Sequence, residues 1–121
     1  MTGADVNALL ATRRQAFVRL DIAALTELYA DDIVLESPAA GGKVAGRHAI
    51  ERIYRGWFEA FPDFKLEDEH FIIEGGQVAH MAKAIGTNVG GFMGLPATGK
   101  TFHFTAAFVL TIENGRIARE R

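Results

Sequence analysis

The chain has 121 residues, of which 49% are hydrophobic and 23% are charged, a composition typical of one globular domain with its own core. It contains no cysteine, which excludes disulfide bonds, thiolate zinc sites and a cysteine nucleophile. Its net charge is −2 and its basic residues are scattered, so the basic surface expected of a nucleic-acid-binding protein is missing.

The start of the chain does not resemble a targeting segment. No basic leader precedes a long apolar run, and no segment approaches the roughly 20 apolar residues of a membrane span. We therefore expect no membrane partner and a soluble, cytoplasmic protein.

Three segments show the hydrophobic periodicity of amphipathic helices. The first covers residues 5–19. The second begins after Asp21, a favourable N-cap residue, and runs through Tyr29. The third covers residues 48–61 and carries the largest aromatic stripe in the chain. Pro62 ends it, because the residue before a proline avoids helical dihedral angles.

Strand and turn signals lie between the second and third predicted helices and again after the third. A short strand over residues 33–38 ends at its proline, and residues 39–46 form a loop or a ragged hairpin. Three or four more strands follow, at residues 64–74, 77–87, 101–112 and from 116 onward. Asn114 and Gly115 between the last two are the strongest hairpin signal, because both residues can adopt positive φ.

This order of elements predicts an α+β fold in which three helices cover one face of a strongly curved antiparallel or mixed sheet. Between residues 101 and 112, Phe102, Phe104 and Phe108 alternate with residues of the other face. The phenylalanine face should meet the helices. Since no repeat or linker is visible, residues 1–121 are expected to form a single domain.

The glycine-rich segment "GTNVGGFMGLPATGK", residues 86–100, imitates a phosphate-binding loop. Its glycine spacing matches neither common nucleotide motif, and the residues after Lys100 are typical of a strand. No helix N-terminus is therefore available for a phosphate, and we interpret the segment as a structural connection.

The four histidines show no compact metal-ligand spacing, so no metal site is predicted. His48, His70 and His103 are interpreted as capping or surface residues. His80 lies on a strand whose alternation does not decide its direction. We keep it as a candidate polar group of a buried site.

Four segments together resemble the SnoaL-like polyketide cyclase branch of the nuclear transport factor 2-like superfamily. They read "DIAALTELYADDIVLESP", "GRHAIERIYRGWFEAFPDFKLE", "GTNVGGFMGLPATGKTF" and "ENGRIARER". The resemblance implies a cone-shaped α+β barrel with an apolar pocket between helices and concave sheet. It also implies a homodimer formed through the sheet.

Cyclases of this kind use an aspartate a few residues beyond the "GRI" turn, supported by a histidine on the preceding strand. In this chain the histidine position falls on Phe108, and the aspartate position falls one place after Arg121. Ketosteroid isomerases of the same fold place a carboxylate base where this chain has Ser37, between Glu36 and Pro38. The resemblance therefore assigns no catalytic residue, and the last strand is expected to be incomplete.

The expected ligand is a small apolar molecule, carbonyl-bearing or polycyclic, bound without a cofactor. Catalysis would be of the polyketide cyclase (aldol) or isomerase type. The predicted pocket residues are Ser37, Tyr54, Trp57, Phe58, His80, Asn88, Met93, Phe104 and Phe108, with Met93 closing the mouth. The alternative is a non-catalytic dimeric interaction or ligand-binding module. An interaction module would have a filled interior and an apolar patch around Ala107 and Val109 on the outer sheet face.

Overall fold

A computed structural model describes residues 3–37, 41–91 and 96–121. These residues form three helices and six strands. In chain order they are α1 (Gly3–Arg19), α2 (Ile22–Thr26), β1 (Tyr29–Ser37), β2 (Gly42–Ala45), α3 (Arg47–Ala60), β3 (Lys65–Glu74), β4 (Gln77–Thr87), β5 (Thr101–Glu113) and β6 (Arg116–Glu120).

The six strands form one sheet in the order β2-β1-β6-β5-β4-β3. Only the β1–β6 pair is parallel, and the other neighbours are antiparallel. The sheet is curved and not closed, with β2 and β3 at its edges. The predicted α+β class, with helices packed on a curved mixed sheet, is confirmed.

The second helix is shorter than its hydrophobic pattern predicts. The carboxylate of Asp21 caps it as expected by accepting a hydrogen bond from the backbone N–H of Ala24 at 3.1 Å. The helix nevertheless ends at Thr26, and Tyr29 begins β1 with its side chain fully buried. Tyr29 pairs with Ile117 of the parallel strand β6, so long-range pairing overrides the local helical pattern here.

The hairpin predictions agree with the structure. Asn114 and Gly115 have φ values of 52° and 77°, the conformation that the Asn-Gly signal requires between β5 and β6. The segment predicted as a loop or ragged hairpin contains β2, which pairs antiparallel with the end of β1.

The inner face of β5 meets the helices along only part of its length. Leu110 and Ile112 are buried, and Phe108 packs against the core. Phe104 and Phe102, nearer the start of the strand, remain 38% and 42% exposed. The helix-facing surface therefore continues beyond the closely packed core and leaves aromatic rings partly open.

The core lies between the helices and the inner face of the sheet. Its fully buried centre consists of Leu25, Tyr29, Ile33, Leu110 and Ile117. No helix in the described parts of the chain is long and apolar enough to cross a membrane.

Gly56 offers a test of the helix energetics. It lies exposed within α3, and a Cβ added there would meet no atom within 4 Å. Because glycine has more conformational freedom to lose on folding than alanine, Gly56→Ala should raise the free energy of unfolding by roughly 0.5–1 kcal/mol. Urea unfolding of the two proteins measures the difference, and a destabilised variant would contradict the prediction.

Candidate functional site

A cavity of about 170 Å³ lies between α1, α3 and the inner face of the sheet. Aromatic side chains make up half of its wall, and the polar contribution is small. Its lining residues are Phe17, Leu35, Ser37, Ile53, Tyr54, Trp57, Phe58, Phe64, Phe104, Ala106, Ala107, Phe108, Glu120 and Arg121.

Six of the nine residues predicted for the pocket line this one cavity. They are Ser37, Tyr54, Trp57, Phe58, Phe104 and Phe108. They come from the end of β1, from α3 and from β5, three elements far apart in the chain. The helical stripe and the strand alternation place them opposite one another, as at Trp57 and Phe104, whose ring centroids are 5.8 Å apart.

The other three predicted pocket residues lie elsewhere. The Asn88 side chain is buried in the glycine-rich segment, where its amide donates to the Pro96 carbonyl at 3.2 Å and its oxygen accepts from the Gly91 N–H at 3.0 Å. Asn88 therefore shapes that segment and is absent from the described cavity wall. Met93, the predicted lid, lies outside the described residues. His80 is buried behind the wall rather than on it.

Glu120 supplies the buried carboxylate of the cavity wall. It is 3% exposed, and its two oxygens accept hydrogen bonds from the hydroxyl groups of Tyr29 and Tyr54, both at 2.5 Å. The guanidinium of Arg13 lies 3.9 Å from Oε1 and balances the charge. An ionised carboxylate is stable in an apolar interior only with such partners.

Arg13 is held between two aromatic faces. Its guanidinium carbon lies 4.7 Å from the ring centre of Phe17 and 4.8 Å from that of Phe108, close enough for cation–π attraction. Its Nη1 is 3.0 Å from Nδ1 of His80, whereas Nε and Nη2 have no hydrogen-bond partner among the described residues. Since Phe17 and Phe108 also line the cavity, Arg13 lies directly behind the aromatic wall.

The contacts of His80 determine its tautomer. An arginine can only donate, so Nδ1 of His80 must accept the bond from Arg13 and the ring proton must lie on Nε2. Nε2 then donates to Oε1 of Glu69 at 3.0 Å, while Arg14 binds the other oxygen of Glu69 at 2.7 Å. The ring also stacks on Phe71, with centroids 4.2 Å apart.

The shifted pKa values follow from this burial. Burial, reinforced by the negative charge of Glu120, raises the pKa of both Tyr29 and Tyr54 above its ordinary value, so their hydroxyl groups remain protonated donors. Burial and then the Arg13 cation hold the pKa of His80 below its ordinary value, although Glu69 acts in the opposite direction.

A pH dependence of stability follows from His80. A histidine with a lowered pKa in the folded state binds protons more readily when the chain is unfolded. Its contribution should therefore be fully present above the unfolded-state pKa of about 6.5 and should decline as the pH falls below that value. Urea unfolding between pH 8 and pH 5 measures the decline. Glutamine in the variant His80→Gln can still accept from Arg13 and donate to Glu69, so this variant should lose less stability over the same interval. An equal loss would show that His80 does not cause the decline.

Three of the buried polar residues, Arg13, Tyr29 and Glu120, were not predicted as site residues. Arg13 and Tyr29 do follow the apolar helical spacing, and a charged residue within an apolar stripe was a usable signal. Glu120 could have been found by strand alternation. Arg121 pairs with Val109, so the strand pairing of β6 continues to Arg121. Because side chains alternate along a strand, Glu120 faces the same side as the position after Arg121, where the resemblance places the family's acid.

Glu36 precedes Ser37, the position at which the related isomerases carry their base, and its side chain forms an ion pair outside the cavity. Its carboxylate binds Arg119 at 2.5 Å, and both side chains are substantially exposed. The hydrogen bond from Arg119 holds the pKa of Glu36 below its ordinary value.

Among residues 3–37, 41–91 and 96–121, no cluster of three or more His, Asp or Glu side chains could hold a metal ion.

The family model for the SnoaL-like polyketide cyclases matches residues 8–121. The chain belongs to this family. The resemblance noted from the sequence is thus confirmed, and the helices with the curved six-stranded sheet have the nuclear transport factor 2-like fold of this family. A comparison with curated proteins finds no significant match.

Solved structures of similar proteins agree with this fold. A candidate polyketide cyclase from Pseudomonas putida KT2440 is 23% identical with a TM-score of 0.83, over 93% of this chain and 85% of its own. TsrD from Streptomyces laurentii is 22% identical with a TM-score of 0.85, over 100% of this chain and 88% of its own. AclR, a candidate hydroxylase from Streptomyces galilaeus, is 25% identical with a TM-score of 0.83, over 98% of this chain and 77% of its own.

Proposed function

We propose that this SnoaL-like domain binds a small, largely apolar, carbonyl-bearing molecule in its cavity and that Glu120 transfers a proton of that molecule. The observation that carries the proposal is a buried carboxylate on the wall of an aromatic cavity, beside the hydroxyl of Tyr54. Acid–base catalysis needs such a group within reach of the substrate. Membership of the polyketide cyclase family supports this class of reaction.

The proposed reaction is an intramolecular aldol ring closure or an isomerisation that shares its first step. The carboxylate of Glu120 takes a proton from the carbon next to the carbonyl, which leaves an enolate. The enolate carbon attacks a second carbonyl of the same molecule, and the new alkoxide recovers the proton from Glu120. In an isomerisation, Glu120 instead returns the proton to another carbon.

Tyr54 is the proposed donor to the enolate oxygen. Its raised pKa keeps the hydroxyl protonated, and in the resting site this hydroxyl donates to Glu120. Once Glu120 has taken a proton it no longer carries the charge that holds the hydroxyl. Tyr54 can then donate to the developing oxyanion, which is where a preorganised donor lowers the barrier most.

The proposal is tested with 2-tetralone, a two-ring ketone with exchangeable protons beside its carbonyl. In deuterated buffer, the protein should accelerate loss of these proton signals in the NMR spectrum. Ala106→Phe, which fills the cavity with a further ring, should abolish both binding and acceleration. An unchanged exchange rate with the wild-type protein, or full acceleration by the filled variant, would contradict the proposal.

We also propose that the outer face of the sheet forms a homodimer. Met81 and Val109 are 36% and 37% exposed on this face, and Ile72 of the neighbouring strand is 63% exposed. Ile72 and Val109 both pair with Ala79, so the apolar residues are in register across three strands. Light scattering should give a dimer for the wild type and a monomer for Val109→Lys. A monomeric wild type would refute the proposal.

A further inference from the structure

The size of the cavity restricts its ligand. An engineered apolar cavity of about 150 Å³ in another protein admits benzene, whereas pockets for drug-sized molecules begin at about 300 Å³. The 170 Å³ cavity lies near the lower figure. Its enclosed part therefore suits one ring or two fused rings rather than a larger polycycle.

The walls favour a flat ligand. Phe17, Phe58 and Phe64 approach one another with ring centroids 6.1–6.2 Å apart, and Trp57 and Phe104 extend the aromatic surface to the sheet. Aromatic rings pack well against such faces and edges. An aromatic or similarly planar ring has the complementary shape.

The polar end of the cavity selects the ligand's hydrogen-bonding group. Both oxygens of Glu120 already accept one bond and retain acceptor capacity. The hydroxyl hydrogen of Tyr54 is directed at Glu120, which leaves its oxygen as an acceptor. At the oxygens of Glu120 and Tyr54 a ligand hydroxyl group is therefore favoured because it can donate, whereas a carboxylate placed against Glu120 would meet its negative charge.

We infer that the cavity binds a planar one- or two-ring compound with a phenolic or enolic hydroxyl group directed at Glu120. This inference rests on the proposed function, because an enol is the hydroxyl form of the carbonyl compound whose proton Glu120 transfers. It narrows the ligand class given by the sequence, which included polycyclic molecules.

Trp57 provides the measurement. It lines the cavity and is the single tryptophan of the chain, so its indole N–H gives one identifiable NMR signal. Titrations followed by this signal should show that 2-naphthol binds at least tenfold more tightly than 2-naphthoate. The two compounds differ in that 2-naphthoate carries a carboxylate in place of the hydroxyl group. Estradiol, a four-ring phenol, should bind at least tenfold more weakly than 2-naphthol. Equal affinities for the alcohol and the acid, or tighter binding of estradiol, would overturn the inference.

Variants connect the preference to Glu120. Glu120→Gln should bring the affinity ratio of 2-naphthol to 2-naphthoate towards one, because the amide can donate and carries no charge. Glu69→Gln, whose carboxylate lies outside the cavity wall, should leave the ratio unchanged. A ratio that survives in Glu120→Gln would refute the role assigned to Glu120.

The two proposals fail in distinguishable ways. The protein could bind 2-naphthol no more tightly than 2-naphthoate and still accelerate the exchange of 2-tetralone protons. In that case the inference of a hydroxyl-bearing ligand is wrong and the proposed function stands. If neither compound binds and no exchange is accelerated, both are wrong.

Discussion

Replacing Arg13 with methionine is expected to lower the free energy of unfolding by roughly 3–5 kcal/mol, the range for removing one partner of a buried ion pair. Methionine keeps most of the apolar contact with Phe17 and Phe108 but leaves Glu120 without its cation. It also removes the donor to Nδ1 of His80. Urea unfolding at pH 7 measures the loss.

Arg14 provides a matched control in the next position. Its side chain is 58% exposed and its carboxylate partner is Glu69 at 2.7 Å. Because the Arg14 side chain is in solvent and Glu69 keeps its bond to His80, Arg14→Met should lower stability by less than about 1 kcal/mol. Similar losses for the two variants would show that burial does not determine the contribution of Arg13.

A double variant separates the effect of the unpaired charge from that of lost packing. In Glu120→Gln the charge that Arg13 balances is absent, so adding Arg13→Met to this variant should cost less stability than Arg13→Met alone. The double variant Arg13→Met with Glu120→Gln should lose less than the sum of the two single losses, because the residues share one interaction. Strictly additive losses would assign the effect of Arg13→Met to packing alone.

The elements with strong local signals were predicted well. The third helix and the β5–β6 hairpin depend on a sustained apolar stripe and on Asn114-Gly115, which act over short distances in the chain. Tyr29 was assigned to a helix because its spacing continues the helical pattern. Only the distant partner Ile117 makes it a strand residue, and parallel pairing of this kind leaves no local mark.

The apolar wall of the site was more predictable than its charges. Trp57 and Phe104 follow from helix and strand periodicity, since each pattern identifies the face that meets the other element. The partners of Arg13 lie 67 and 107 positions away, at His80 and Glu120. Which charges meet depends on the strand register, including the irregularity near Ile117, and periodicity does not determine register.

Glu120→Gln is expected to slow the exchange of 2-tetralone protons by about 10²–10⁴-fold, the usual contribution of a general acid–base group. The amide has nearly the same shape as the carboxylate and can still accept from one tyrosine, but it cannot take a proton at neutral pH. Binding of 2-tetralone, detected through the Trp57 indole signal, should change much less than the exchange rate. The change would then concern the proton transfer and not the occupancy of the cavity.

Glu69→Gln is the appropriate comparison for this rate. Glu69 is also a partly buried carboxylate and bonds His80, but it does not contribute to the described wall of the cavity. The exchange rate of Glu69→Gln should stay within a few-fold of the wild type, because Glu69 is not among the described residues that line the cavity. If Glu120→Gln keeps more than a tenth of the wild-type rate while remaining folded, or if Glu69→Gln loses as much, the base lies elsewhere. Thermal unfolding of each variant establishes that the compared proteins are folded.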